Sequence, residues 1–321
     1  MLNEASDKEK FKQLIQNSSA NQSLLWPQLG HAGAMAHQPI SFPKGPSEIN
    51  IPDLYCEALT LSEVKELPNI FAKSAALAKE LGFGGVQIHS AHGFLLSQFL
   101  SPLFNQRTDQ YGGSILDRSR LLLEVIEAVR TAVGKDFPIA LKLNATDQLE
   151  GGLQAEDSLR VVEELDKTSI DLLDISGGTY FPGAKSASDS VSKGAYFIDF
   201  AKEALNKTNK PLMLTGGFKT FEQASKAVAE GFTDIVGIAR ALALQPTLVN
   251  DWQKVPAKDP IYPRFNAPPE GGITAWYTMR LTDLAEDKET DNNLDLKQTI
   301  SDYESRDAKK SEIWNKHFFT D

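Results

Sequence analysis

Six short apolar runs punctuate the chain, at 23–28 (SLLWPQ), 84–89 (GGVQIH), 138–144 (PIALKLN), 171–176 (DLLDIS), 211–215 (PLMLT) and 234–239 (DIVGIA). Each has strand length, and their centres are apolar on both faces, as in parallel strands covered by helices. Longer stretches of helical period lie before and between them, at roughly 7–17, 60–81, 114–133, 155–167, 195–207 and 219–230. The second of these opens with Thr60 and has Glu63 three positions later, a capping box, and it ends before Gly82. The third opens at Ser114 and closes at Gly134. Strand alternating with helix along one chain predicts an α/β fold with a parallel sheet.

Two parallel architectures compete. A doubly wound nucleotide fold wants a G-x-G-x-x-G turn between its first strand and helix. The glycines at 82, 84 and 85 precede a strand instead, and no Walker sequence occurs. The better reading is a (β/α)8 TIM barrel, whose functional residues sit just past the C-terminal ends of the strands. Polar residues cluster there: Gln28, His89, His92, Lys142, Gly216, Gly217 and Arg240. Six strands are visible where a closed barrel has eight, so the expectation is an N-terminally incomplete barrel over 1–282. Residues 34–59, rich in Pro and Ser, read as a long loop over the barrel mouth, with missed strands there as the alternative. Residues 283–321 form a charged C-terminal extension, in which 294–318 predicts a peripheral helix.

Composition narrows the function. The net charge of −10 argues against a nucleic-acid groove as the main function, since that needs a basic surface. The single cysteine, Cys56, has no partner for an internal disulfide, which fits a reducing cytoplasm. The N-terminal "MLNEASDKEKFKQ" has no apolar signal core, and no run of 18 apolar residues occurs, so no membrane span is expected.

The chemistry-bearing stretch is "VQIHSAHGFLL", residues 86–96. A metal reading of His89 and His92 needs a third ligand and usually a nearby base, and no further His or Cys lies at a suggestive spacing. A core-filling reading leaves two imidazoles at one strand end in need of partners. The favoured reading is a pair of N–H donors aimed at one substrate oxygen, where negative charge develops during reaction. A second candidate is phosphate binding: "LTGGF" follows the penultimate strand and "GIARAL" ends the last. Barrels often hold phosphate in those loops, where glycine backbone approaches the anion and Arg240 pairs with it. Lys142, at the end of "IALKLN", either snorkels out or sets a cation beside an electron-accepting ring. Gln28 could bond the edge of such a ring.

Taken together, "GVQIHSAHGFLLSQFLSPLFNQRTDQYGGSILDRSRLLLE" (85–124) closely resembles the old yellow enzyme family of flavin oxidoreductases. The "RTDQYGGS" run with Arg118 is highly specific, and "WPQLGHAG" (26–33), "ALKLNATD" (140–147), "DISGGTY" (174–180), "LTGGF" (214–218) and "VGIARAL" (236–242) agree in order and spacing. "NAPPEGGITAWYTMRL" (266–281) looks like the C-terminal extension of one branch. The resemblance covers roughly residues 8–282. It implies an FMN-bound barrel that takes hydride from NAD(P)H and passes it to an activated alkene, the cofactor carrying the hard chemistry. By position, Gln28 would bond the flavin pyrimidine edge and Lys142 would stand beside the reduced ring's negative charge. Gly216, Gly217, Gly237 and Arg240 would hold the phosphate. His89 and His92 would grip the substrate carbonyl, with Phe94 lining the substrate site.

Two departures stand out. Many members of the family have Tyr at the position of Phe94, where it protonates the substrate carbon, and Phe has no proton to donate. Solvent or another acid then does so, or the substrate differs from a simple enone. The family's barrel also begins two strands earlier, so the alternative to an active enzyme is a truncated or split-gene barrel with an incomplete flavin site. The expected partners are a small-molecule substrate and either a second copy or a complementing N-terminal fragment.

Overall fold

The chain enters its first helix, α1 (Lys8–Ser18), through Asp7, whose carboxylate accepts from the Lys10 amide. In this computed structural model the described residues are 2–20, 22–37, 41–52, 54–181, 195–269, 271–288 and 294–318. A two-residue strand β1 (Gln28–Leu29) and a short turn of 3-10 helix (Gly33–Met35) follow. The three strands β2 (Lys44–Gly45), β3 (Ile49–Ile51) and β4 (Leu54–Ala58) form a small separate sheet, β2 parallel and β3 antiparallel to β4. Residues 34–59 are therefore not a bare loop. Strands of two and three residues are too short to leave a periodic signal.

From Thr60 onward the alternation is regular. Helix α2 (Leu61–Leu81) carries the full capping box, with Thr60 and Glu63 each bonding the other's backbone amide. Strand β5 (Val86–Ser90), helix α3 (Leu95–Leu100), helix α4 (Ile115–Val133), strand β6 (Ile139–Asn144), helix α5 (Ala155–Asp166) and strand β7 (Leu172–Ser176) follow. Then come α6 (Ile198–Ala204), β8 (Leu212–Thr215), α7 (Phe221–Ala229) and β9 (Ile235–Gly237). The last helices are α8 (Arg240–Leu244), α9 (Leu248–Trp252), α10 (Gly272–Ala285) and α11 (Leu296–Phe318). The helix α10 runs through residue 282, where the sequence reading sets its boundary.

Six strands make the main sheet, in the order β1-β5-β6-β7-β8-β9. The pairings from β1 through β8 are all parallel. This is the α/β layout of a (β/α)8-type barrel with six strands seen. The first strand is displaced from the expected 23–28. Leu25 and Pro27 carbonyls do accept from Gly84 and Gln87 amides, at 3.1 and 3.0 Å. Pro27 has no N–H to return a bond, so the regular ladder starts only at Gln28.

The chain divides into two compact units. One comprises Met1–Ser186, Phe197–Thr215 and Gly231–Ile235; the other comprises Ala187–Tyr196, Gly216–Glu230 and Val236–Asp321. In the first, all six residues of β6 are buried. Helices α2 and α4 pack closely together, and each buries apolar residues, Val64, Leu67 and Phe71 among those of α2 and Leu121, Val125 and Val129 among those of α4. The second unit has its own small core of Ala243, Leu244, Trp276 and Tyr277, flanked by Tyr262, Phe265, Ile273, Leu294 and Leu296.

Candidate functional site

Parallel register sets the polar side chains of the first unit side by side. Gln28 lies opposite Gln87, His89 opposite Lys142, and Lys142 opposite Asp174. Partners opposite one another share a face of the sheet, so one face carries a row of polar groups. Asp174 is its hub. Its carboxylate is fully buried and accepts from Lys142 Nζ at 2.5 Å, Gln87 Nε2 at 2.9 Å and Thr215 Oγ1 at 2.7 Å. Gln28 Nε2 donates in turn to Gln87 Oε1 at 2.5 Å. Three donors, one of them charged, satisfy a buried carboxylate. Lys142 is thus a cation with a committed counter-ion, 8% exposed, and not a snorkelling side chain.

His89 and His92 meet at the end of β5, ring centroids 5.2 Å apart and edge to face. Phe94 lies 5.2 Å from His89. Burial lowers the pKa of His89 to about 3, with the His92 and Lys142 charges adding to it. Burial and then Lys142 lower that of His92 to about 4. Both imidazoles are neutral at pH 7, the form in which a ring offers one N–H donor and one acceptor. Among the described residues, the buried Nδ1 of His89 finds no hydrogen-bond partner. Such an orphan costs about 1–3 kcal/mol in an otherwise satisfied interior.

His92 is held in an unusual backbone state. Its φ is +60°, left-handed for a residue with a Cβ, at a cost of about 1–2 kcal/mol. The surroundings over-determine it. Its amide donates to Asn144 Oδ1 at 3.0 Å, its Nε2 sits 2.9 Å from Ser176 Oγ, and its carbonyl accepts from the Tyr180 amide at 3.3 Å. The next residue, Gly93, has φ +77°, and a Cβ there would collide with Thr179 Oγ1. Gln98 on α3 ties the same turn to the first loop: Nε2 donates to Gly93 O and Ala32 O, and Oε1 accepts from the Ala34 amide. Strain locked in this way belongs with ligand-handling sites more often than with scaffold.

The four candidate phosphate residues fall in the second unit. Gly216 and Gly217 both have positive φ, +122° and +85°, a state open to glycine at no steric cost. Gly237 ends β9 and Arg240 begins α8, its guanidinium 5.9 Å from the centre of the Tyr277 ring.

Several residues escaped the sequence reading: Gln87, Asn144, Asp174, Ser176, Tyr180 and Gln98. Two carried a signal. Gln87 is two residues before His89 and so shares its face, and Asp174 is a charge at the centre of an otherwise apolar strand, which demands a partner. The "RTDQYGGS" run builds scaffold. Arg107 pairs with Asp109 and donates to Pro46 O and Leu59 O. Arg118 donates to Leu100 O, Gly113 O and Asp157 Oδ2.

The arrangement has known counterparts. The family model for the NADH:flavin oxidoreductase / NADH oxidase family matches residues 1–258. The NADH-dependent flavin oxidoreductase iliE of Hypocrea jecorina (strain QM6a) is 39% identical over 199 residues, 59% of this chain and 49% of its own length. The chain spans about half the length of such curated relatives. The complex of 2-naphthoyl-CoA reductase with 2-naphthoyl-CoA superposes with a TM-score of 0.73 at 28% identity, covering 78% of this chain and 41% of that one. The old yellow enzyme homologue from Zymomonas mobilis gives a TM-score of 0.67 at 26% identity, covering 83% and 78%. With most of its length matched by one family model, and its parallel strands arranged as in these solved enzymes, the chain belongs to the NADH:flavin oxidoreductase / NADH oxidase family.

Proposed function

We propose that the protein is an FMN-dependent oxidoreductase that uses NAD(P)H to reduce an activated alkene. The observation that carries this reading is the cluster at the end of β5: a buried and a half-buried imidazole, both neutral, the second on a strained turn and the first with an orphaned nitrogen, beside a buried lysine. Each unit, taken by itself, holds residue types that suit one part of a flavin nucleotide. Gln28 has an exposed amide on the edge strand, and Lys142 supplies a buried cation on the same face. Gly216, Gly217, Gly237 and Arg240 are the residue types that hold a phosphate. Bound FMN, once reduced by NAD(P)H, supplies a hydride equivalent.

The chain's own residues do the rest. His89 and His92 orient a substrate carbonyl through their ring nitrogens and stabilise the charge that develops on its oxygen. For that donation the proton of His89 sits on whichever nitrogen faces the substrate. Asp174 fixes the Lys142 ammonium in place and offsets much of its charge, so the lysine acts as a positioned donor more than as a bare cation. Phe94 sets an apolar ring beside His89.

Further expectations accompany the enzyme reading. Among the described residues no helix is long and apolar enough to cross a membrane. The lone, buried Cys56 suits a reducing compartment such as the cytoplasm.

The test is direct. The purified chain should carry, or take up, FMN with its visible absorption, should unfold at a higher temperature with FMN present, and should bleach when NADPH or NADH is added under argon. A folded chain that stays colourless after incubation with FMN and gains no thermal stability from it overturns the proposal.

A further inference from the structure

Placing a hydride on one carbon of an alkene leaves the neighbouring carbon in need of a proton. The cluster at the end of β5 holds few groups able to give one. His89 and His92 are neutral, since burial lowers their pKa to about 3 and about 4. A neutral imidazole N–H is a poor acid. The Lys142 ammonium is engaged by Asp174 at 2.5 Å. Phe94 carries no polar atom. Ser176 has only an aliphatic hydroxyl, 2.9 Å from His92 Nε2.

Among the described residues, one phenol touches this cluster. The ring of Tyr180 lies 5.9 Å from that of Phe94 and 6.2 Å from that of His92, centre to centre. Its backbone is fastened to the same turn. The Tyr180 amide donates to His92 O at 3.3 Å, Thr179 pairs with His92 in an isolated parallel bridge, and Thr179 packs against Gly93. Whatever fixes the histidines therefore also fixes the root of Tyr180. Its side chain is 64% exposed, so it exchanges protons with water directly. A phenol is a much stronger acid than an aliphatic hydroxyl.

We infer that Tyr180 is the proton donor of this site, standing in for the hydroxyl that Phe94 lacks. The inference rests on the alkene-reducing reading above. The balance is as follows. With FMN bound and reduced by NAD(P)H, one alkene carbon would receive a hydride equivalent. The π pair moves to the other carbon, which takes the proton as the Tyr180 O–H bond breaks. The resulting phenolate regains a proton from water. One alkene is reduced and one nicotinamide oxidised per turn, with no further reagent.

The experiment uses the FMN-loaded protein, 2-cyclohexen-1-one as oxidant and rapid mixing to separate the two halves of the reaction. Tyr180→Phe should take up FMN and be bleached by NAD(P)H within twofold of the parent. It should bind the saturated ketone cyclohexanone, titrated by the change in flavin absorption without turnover, within twofold as well. Its reoxidation by cyclohexenone should slow by about 100-fold, the lower end of what a general acid contributes, because water also reaches the site. Phe94→Tyr added to Tyr180→Phe should restore at least tenfold. Reoxidation of Tyr180→Phe within threefold of the parent overturns the inference while leaving the flavin reading intact. A parent chain that binds no FMN, or whose FMN is not bleached by NAD(P)H, overturns the flavin reading and this inference with it.

Discussion

Lys142 and Asp174 offer the sharpest test of how the site is held together. Asp174 is fully buried and Lys142 nearly so, and the two meet at 2.5 Å. Removing one partner of such a pair leaves the other charge desolvated and typically costs about 3–5 kcal/mol. Lys142→Met leaves the carboxylate with only two neutral donors, Gln87 Nε2 and Thr215 Oγ1. Those two donors place the expected loss near the lower end, about 3 kcal/mol. Asp174→Asn strands the ammonium and turns an amide NH2 or a single oxygen toward it, with a loss of about 3–5 kcal/mol. The double variant carries no buried charge, and its loss should be about 1–2 kcal/mol, since exchanging a buried pair for uncharged groups is often close to neutral. The coupling between the positions is then about 3 kcal/mol or more. Urea unfolding of the flavin-free protein, followed by far-UV circular dichroism, gives each value from the shift of the midpoint at constant slope. Single variants that each cost less than about 1 kcal/mol, with additive effects in the double, would refute the claim that this pair is desolvated and mutually dependent.

Three further outcomes are expected. The histidines make stability fall in acid: their pKa values are about 3 and 4 in the folded chain against 6.5 unperturbed. The unfolded chain therefore binds protons first, stability is complete above about pH 6.5, and it falls by up to about 1.4 kcal/mol per pH unit per histidine on the way down to the folded values. His89→Asn should flatten that slope by one proton's worth, as read by unfolding midpoints between pH 7 and 5. Gly93→Ala, at φ +77° with Thr179 Oγ1 in the way, should cost at least about 2 kcal/mol and lower the melting temperature. Arg118→Met should cost about 2–4 kcal/mol, because it leaves two carbonyls and a carboxylate without their donor.

Much of this architecture was legible along the chain, and the reasons are local. The capping box at Thr60 and Glu63, the cap at Ser114 and the apolar runs at 84–89 and 138–144 appear within a residue or two of their expected places. Each reports a short-range preference. The first strand starts at Gln28 and not at residue 23 because apolar content alone does not make a ladder, and the Pro27 nitrogen has no hydrogen to pair. The small sheet at 44–58 was missed because its strands are held by their pairing and by Arg107, not by a pattern of their own. In the site, His89, His92, Phe94 and Lys142 were visible as polar or aromatic residues at strand ends. Asp174 and Gln87 carry a local hint of their own, but their partners, and the place of Tyr180, emerge only once the register brings distant strands together, a relation that no single stretch of sequence contains.

Arg118 has a consequence for inheritance. The run that most distinguishes this chain, RTDQYGGS with Arg118 after it, spends its hydrogen bonds on a loop, a helix end and the start of the next helix. Its loss is felt in folding, in every state of the protein and with every substrate. A descendant that abandoned flavin chemistry would still be selected to keep that run for as long as it had to fold. The run is therefore a record of lineage. Change of trade would be written first at positions 94 and 180, where a single substitution leaves the scaffold standing and alters what it does.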